Sequence, residues 1–459
     1  MTFSIRNFRN PATHAGSRLS IPIPSWRAIP LLLVLAGAAL SAVYAQDADP
    51  SVTQQKIQKG FYTPEERLSV MHSAALFVPT DVSRADIAAG PPQQKHLFRL
   101  HDNDKVICDF KTPGNKMGGK TPKFGCQITA IESTTGEKQA LSADIQEDEP
   151  VKVKFGADDN EVFAEIVATR LMWAMGYYAD AWYPVQVECH GCPENLISGS
   201  GSAQTRTFAV ANIVRKYPGH KMTEVGKDDE GWSWKELDTA NGAPVYQRDG
   251  LKLLAAFVQH SDNKPPQQRL TCHKVDVDSN SQPPAVACDS SIMLVQDVGA
   301  TFGSGGWFTS NTGAKMNLDN WSGRSLWIRA GTEATPRACQ AALRKSLTAK
   351  DGLSNPDISE DGRRFDAGLM CQLSDQQIEA LFRAARVAAM PKYHNNDGSF
   401  KAGVDEDSVV RQWVAAFRKK REELASARCV WKDKPADLTL VDNPMHLAEV
   451  PNFCSSKPF

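Results

Sequence analysis

The sequence predicts an α+β fold in two parts, a small β-rich lobe followed by a larger helical lobe. Three observations predict it. Short β-type runs separated by turn-rich segments dominate residues 93–187. A single apolar helix interrupts them, and beyond residue 187 the apolar spacing becomes mostly helical. The chain has 459 residues, enough for two or three domains with substantial cores. Hydrophobic residues make up 41% and charged residues 23%, ordinary values for a globular protein, and no apolar run is long enough for a routine membrane span. With 52 Lys plus Arg against 53 Asp plus Glu, the formal charge is -1, which sets a nucleic-acid binder aside.

Residues 1–45 carry Arg6, Arg9, Arg18 and Arg27 without an acid, then an apolar run from Ile29 to Val43 that closes on Val43-Tyr44-Ala45. A basic flank, a short apolar core and small residues predict a signal peptide cut after Ala45. The rival reading is a buried N-terminal helix or an uncleaved anchor. Cleavage removes four arginines and leaves a mildly acidic chain, expected to be periplasmic or secreted, with no stable membrane span. Ten cysteines agree with export: Cys108, Cys126, Cys189, Cys192, Cys272, Cys288, Cys339, Cys371, Cys429 and Cys454. Their even number predicts five disulfides, and local order suggests pairing each with the next along the chain, including Cys339 with Cys371 and Cys429 with Cys454. Connectivity stays open at this level. A sharper reading makes Cys189-His190-Gly191-Cys192 a redox pair or half of a zinc site. A zinc ribbon needs a second such pair, and haem attachment needs His where Pro193 stands.

Residues 46–92 read as a polar N-terminal extension with one modest helical patch. Strands are expected at 106–110, 124–128, 151–155 and 182–187. The helix at 161–175 places Val162, Ile166, Thr169 and Trp173 on one stripe with Phe163, Val167, Leu171 and Met175 beside it, and Gly176 ends it. Ser198-Gly199-Ser200-Gly201-Ser202 reads as a flexible loop. Within 188–459, Leu251, Leu254, Ala255 and Val258 predict a buried helix over 251–260. Ser374 and Gln377 form a capping box ahead of the stripe Ile378, Leu381, Phe382 and Ala385. The last helix starts at Asp405-Glu406-Asp407 and ends in Arg418-Lys419-Lys420-Arg421, acidic first and basic last as the helix dipole favours.

Four polar features recur in a telling order. Lys154 ends the strand Val151-Lys152-Val153-Lys154, whose alternation puts both lysines on one face. Glu165 lies on the helix that follows. The loop after the 251–260 helix reads His260-Ser261-Asp262-Asn263-Lys264-Pro265-Pro266-Gln267-Gln268. The apolar strand Ile292-Met293-Leu294-Val295 then runs into Gln296-Asp297-Val298-Gly299.

In this order the chain resembles the protein-kinase-like superfamily, including its atypical exported bacterial members. The 260–268 loop is similar to the catalytic loop H-R-D-x-K-P-x-N, with Gln267 in place of the asparagine, and Asp297-Val298-Gly299 resembles D-F-G. The resemblance spans roughly residues 96–300 and implies a two-lobed kinase-like fold. It also implies ATP with Mg²⁺ or Mn²⁺ as cofactor. Phosphoryl transfer needs a cation on the phosphates, a carboxylate orienting that cation, an acid holding the metal and a carboxylate aligning the acceptor hydroxyl. The resemblance assigns these roles to Lys154, Glu165, Asp297 and Asp262, with Lys264 beside Asp262 and Gln267 as a neutral metal ligand. Lys152 and Glu161 are rivals for Lys154 and Glu165.

The chain also departs from the pattern. No G-x-G-x-x-G stands in the first strands, and Gly114, Gly118 and Gly119 are spaced differently. The span from Asp262 to Asp297 exceeds a plain hairpin, and Cys272 and Cys288 are expected to staple the excess. Three functions follow from different classes. The first is an exported phosphotransferase acting on a protein or small hydroxyl acceptor. The second is an inactive kinase-like module that binds a partner, with the 303–308 loop as its contact surface. The third is a redox or metal protein built on Cys189 and Cys192.

Overall fold

The structure is a computed structural model that describes residues 63–112, 121–143, 145, 150–196, 198–222, 231–273, 275–278, 285–288, 290–305, 311–431 and 454. The expected signal segment, residues 46–62 of the extension, the Gly114–Gly119 cluster and the 306–308 end of the proposed contact loop lie outside the described residues.

Six strands form one mixed sheet: β1 (Lys105–Lys111), β2 (Lys123–Glu132), β3 (Lys138–Ala140), β4 (Val151–Phe155), β5 (Ala181–Cys192) and β6 (Gln204–Arg215). Their order is β1-β5-β6-β4-β2-β3, and β1 also pairs with β2, so five of them close into a ring. β1 runs parallel to β5 and the other pairings are antiparallel. Closure leaves these five strands without a free edge and surrounds a core that includes Val106, Phe124, Ile128, Val153, Val185 and Ile213. The strands expected at 106–110, 124–128, 151–155 and 182–187 all fall inside this ring. The sheet runs on past residue 187 through β6, where the sequence reading began the helical part. The Ser198–Ser202 segment is a tight turn, with Asn195 and Ser200 bridged across it.

Helix α1 (Pro64–Ser73) opens at a Thr63–Glu66 capping box, and α2 (Glu161–Ala174) follows β4. Residues of α2 are buried on nearly every side, as expected for a helix clamped between the sheet and a second core. That core gathers α3 (Trp234–Ala240), α4 (Val245–Phe257), α5 (Glu360–Met370), α6 (Asp375–Ala384) and α7 (Glu406–Ser426). Phe257, Phe302, Trp321, Phe382, Trp413 and Phe417 meet there edge to face or stacked. The Ser374–Gln377 capping box forms as expected. α4 begins six residues before the expected start, and α7 continues to Ser426.

Strands β8 (Gln268–Cys272) and β11 (Ser291–Val295), between α4 and α5, join β7 (His220–Met222), which precedes α3, in the three-stranded sheet β11-β8-β7. β9 (Val275–Asp278) and β10 (Ala285–Cys288) extend this hairpin, and Cys272–Cys288 closes it. Cys108–Cys126 and Cys189–Cys192 also pair as expected. The remaining two bridges are Cys339–Cys429 and Cys371–Cys454, which corrects the local pairing of Cys339 with Cys371 and Cys429 with Cys454. The chain leaving α7 returns beside residues 331–337, so Cys429 meets Cys339 across that contact rather than its sequence neighbour. Ten paired cysteines and no described helix long and apolar enough to cross a membrane are compatible with export.

Candidate active site

Lys154, near the end of β4, aligns with Lys123 of β2 and Asn212 of β6. The Asn212 side chain donates to the Val162 carbonyl, tying β6 to the first turn of α2. Period-two alternation turns Lys152 and Lys154 to the same face, where both ammonium groups lie over the Trp182 ring, 5.1 and 4.9 Å from its centre. One turn of α2 separates Glu161 from Glu165, so both carboxylates point back at this face.

The Lys154 ammonium is 1% exposed and bonds both Glu161 and Glu165, with Asp297 Oδ2 at 3.9 Å. Burial opposes its charge, yet Asp297, Glu165 and Glu161 outweigh burial and hold its pKa well above the ordinary lysine value. Glu165 is fully buried, and burial pushes its carboxyl up to about 8 against the pull of Lys154. Its second oxygen, Oε2, has no hydrogen-bond partner among the described residues. Burial acts on Glu161 in the same direction, but Lys154 and Lys315 override it and hold that carboxyl far below its ordinary range. Lys315 also bonds Asp159 at 2.9 Å, and Thr121 donates to both acids. Asp297 is one-third exposed, and Lys154 lowers its pKa against the cost of burial. Lys152 is pushed below the ordinary lysine value by burial and by the charge of Lys154.

Asp297 leaves β11 at the point where the strand turns away from β8. Its main-chain carbonyl accepts from His260 Nε2 at 2.9 Å, and its Oδ1 accepts from the Gly299 N–H at 3.3 Å. Burial lowers the His260 pKa, which keeps the ring neutral and able to donate from Nε2. Gly299 is required by packing: a Cβ there would lie 2.1 Å from Glu161 Cγ. The His260 ring thus fastens the Asp262 turn to the Asp297 turn, as do the main-chain bonds Ser261–Ala300 and Phe302–Val258.

Asp262 is one-quarter exposed and accepts from Lys264 Nζ at 2.9 and 3.0 Å, from Gln267 Nε2 at 3.0 Å and from Ser346 Oγ at 3.4 Å. The Gln267 side chain therefore serves Asp262, while its main-chain carbonyl receives the N–H groups of Gln296 and Asp297. Carboxylate oxygens of Glu161, Glu165 and Asp297 lie within 4.8 Å of one another. An orphaned buried oxygen within three converging carboxylates fits a hard divalent cation, which takes several oxygen ligands.

Lys154, Glu165 and Asp297 thus meet in one place, with Asp262, Lys264 and Gln267 on the neighbouring turn. Glu161 joins the group as a full partner of Lys154 instead of displacing Glu165. Lys315 carries no sequence signal. It reaches Glu161 across 154 residues of chain, and no local spacing announces such a contact. Cys189 and Cys192, the other candidate site, are fully buried and bonded to each other at the end of β5.

No family model matches the chain, and no curated protein does. Among solved structures, the crystal structure of a Helicobacter pylori proinflammatory kinase, CtkA, overlaps it with a TM-score of 0.31 at 10% identity, over 70% of this chain and 98% of that one. Overlap that loose settles no relationship, so the chemistry rests on the side chains.

Proposed function

We propose that the protein is an exported kinase-like phosphotransferase that moves a nucleotide phosphate to a hydroxyl acceptor. The observation that carries this reading is the convergence of Lys154, Glu165 and Asp297 beside the Asp262 turn. In the two-lobed arrangement this implies, the ring of β1–β6 is the smaller lobe and the helical core the larger. Lys154 binds nucleotide phosphate oxygens and Glu165 orients its ammonium. Asp297, with Glu161 and Glu165 close by, would hold Mg²⁺ or Mn²⁺, which neutralises phosphate charge when bound. Gln267 fits the acceptor side better than the metal, because its amide already holds Asp262. Asp262 accepts the proton of the acceptor hydroxyl, and Lys264 fixes its carboxylate.

A second reading, an inactive binding module, is favoured by one observation. Lys154 is enclosed and already bonded to two carboxylates, so phosphate must displace one of them.

Two variants separate the roles. Asp297→Asn should weaken metal-dependent nucleotide binding at least ten-fold by removing a charged oxygen ligand. Asp262→Asn should leave that binding within about two-fold and lower phosphate transfer by roughly 10²-fold or more. Equal effects of both variants on binding would contradict the division of labour. Nucleotide binding without turnover in the unmodified chain would favour the inactive module.

A further inference from the structure

Residues 343–355 pass over the turn that carries Asp262. The Ser346 N–H donates to the Ser261 carbonyl at 2.7 Å, Ser346 Oγ donates to Asp262, and the Leu353 N–H donates to Asn263 Oδ1. Gly305 shows how close the fit is: a Cβ there would lie 2.2 Å from the Arg344 carbonyl oxygen and 2.7 Å from Ser261 Cβ. The main chain at Arg344 therefore lies directly beside the Asp262 turn.

This segment faces outward with a basic and apolar surface. Arg344, Leu347, Thr348 and Lys350 are exposed, Leu347 at 63%, and Lys345 is half-buried. Among the described residues no ion pair engages Arg344, Lys345 or Lys350, and Asp351 is the one acid in the run from 344 to 351. Arg324 is a further basic side chain, half-buried. Burial and the neighbouring charge of Arg344 lower the pKa of Arg324, whose Nε is buried without a hydrogen-bond partner among the described residues. Arg324 lines an open cavity of about 510 Å³ with Asp319, Ser325, Trp327 and Ile328.

Building on the phosphotransferase reading, we infer that the acceptor is an acidic polypeptide segment. Its hydroxyl-bearing residue sits at Asp262, its acidic side chains lie on Arg344 and Lys345, and an apolar neighbour covers Leu347. Transfer breaks the bond between the terminal phosphorus and the nucleoside diphosphate oxygen and forms a bond from that phosphorus to the hydroxyl oxygen. The hydroxyl proton passes to the Asp262 carboxylate and then to water. A small hydroxyl compound would engage Asp262 but leave this basic strip and Leu347 uncovered. Exposed charge pairs are individually weak, so selectivity comes from several acting together and falls with salt.

The test uses the purified mature chain and fluorescent serine peptides flanked by Asp and Glu or by Lys. Anisotropy at low salt should show the acidic peptide bound about ten-fold more tightly. Arg344→Glu with Lys345→Glu should abolish that preference, and Arg344→Lys with Lys345→Arg should keep it. Equal affinity for both peptides, or an unchanged preference in the reversed variant, overturns the inference. Nucleotide binding measured on the same samples separates the two levels. Metal-dependent nucleotide binding with no peptide preference overturns the acidic acceptor and leaves the phosphotransferase standing. Acidic-peptide preference without nucleotide binding supports the docking strip and overturns the phosphotransferase.

Discussion

At the scale of the residue, Lys154 is the charge on which the candidate site depends. Three carboxylates surround its buried ammonium, and removing one member of such a group leaves the others uncompensated. Lys154→Met should therefore cost roughly 3–5 kcal/mol in urea unfolding, and adding Glu165→Gln should recover part of that loss. Simple additivity of the two changes would contradict the coupling. Gly299→Ala makes a second residue-scale test, because Glu161 is held by Lys154 and Lys315 and cannot swing away from a new Cβ. The expected cost is about 1–3 kcal/mol, and an unchanged melting temperature would count against the packing described. Lys154, Glu165, Asp262 and Asp297 were legible in the sequence because strand alternation, helix spacing and two turn motifs placed each on a definite element. Glu161 was legible as a rival to Glu165, whereas the structure makes the two joint partners of one ammonium.

At the scale of the element, the α4–α5 contact explains why the start of α4 was missed. Arg248, Asp249 and Lys252 are buried there, so the polar residues of this helix face inward and mask its apolar period. Lys252 bonds Asp238 and Asp249, and Ser359 donates to Asp249 from the α5 N-cap. The Lys252–Asp249 pair is an i,i+3 contact within the helix, but Ser359 comes from 110 residues away and cannot be read from spacing. Gly250 sits where a Cβ would lie 2.5 Å from the Tyr177 hydroxyl oxygen, so Gly250→Ala should lower the melting temperature despite the better helix propensity of alanine. The same hydroxyl donates to Asp366 Oδ1 at 3.2 Å, and Oδ2 has no partner among the described residues. Burial holds the Asp366 carboxyl well above its ordinary 3.8, with the Tyr177 bond opposing. The folded state keeps a proton that the unfolded chain releases, so stability declines as pH rises above that ordinary value. Asp366→Asn cannot ionise and should flatten the fall in melting temperature between about pH 4 and pH 7. An unchanged slope would show that Asp366 is ionised in the fold.

At the scale of the whole molecule, the sheet closes through β1 pairing with both β2 and β5, and the C-terminal chain is fastened by two long-range disulfides. Individual strands were legible from their apolar runs. Ring closure was not, because register between strands far apart in sequence leaves no local mark. The local cysteine pairing failed for the same reason: short-range order predicted three bridges, and chain return after α7 decided the other two. Peptide mapping without reductant should recover Cys339 linked to Cys429 and Cys371 linked to Cys454. Removing Cys339–Cys429 by paired serine substitution should cost about 2–5 kcal/mol, since the bridge closes a separation of 90 residues. Recovery of Cys339 linked to Cys371 would contradict the arrangement of α5 and α7.

The most direct test of the central claim is a calorimetric titration of the purified protein with a nucleoside triphosphate, with and without Mg²⁺ or Mn²⁺, repeated on Lys154→Met. Saturable binding that requires the metal and is weakened at least ten-fold in the variant is the predicted result. Binding indifferent to both metal and Lys154, or no binding at all, would contradict it.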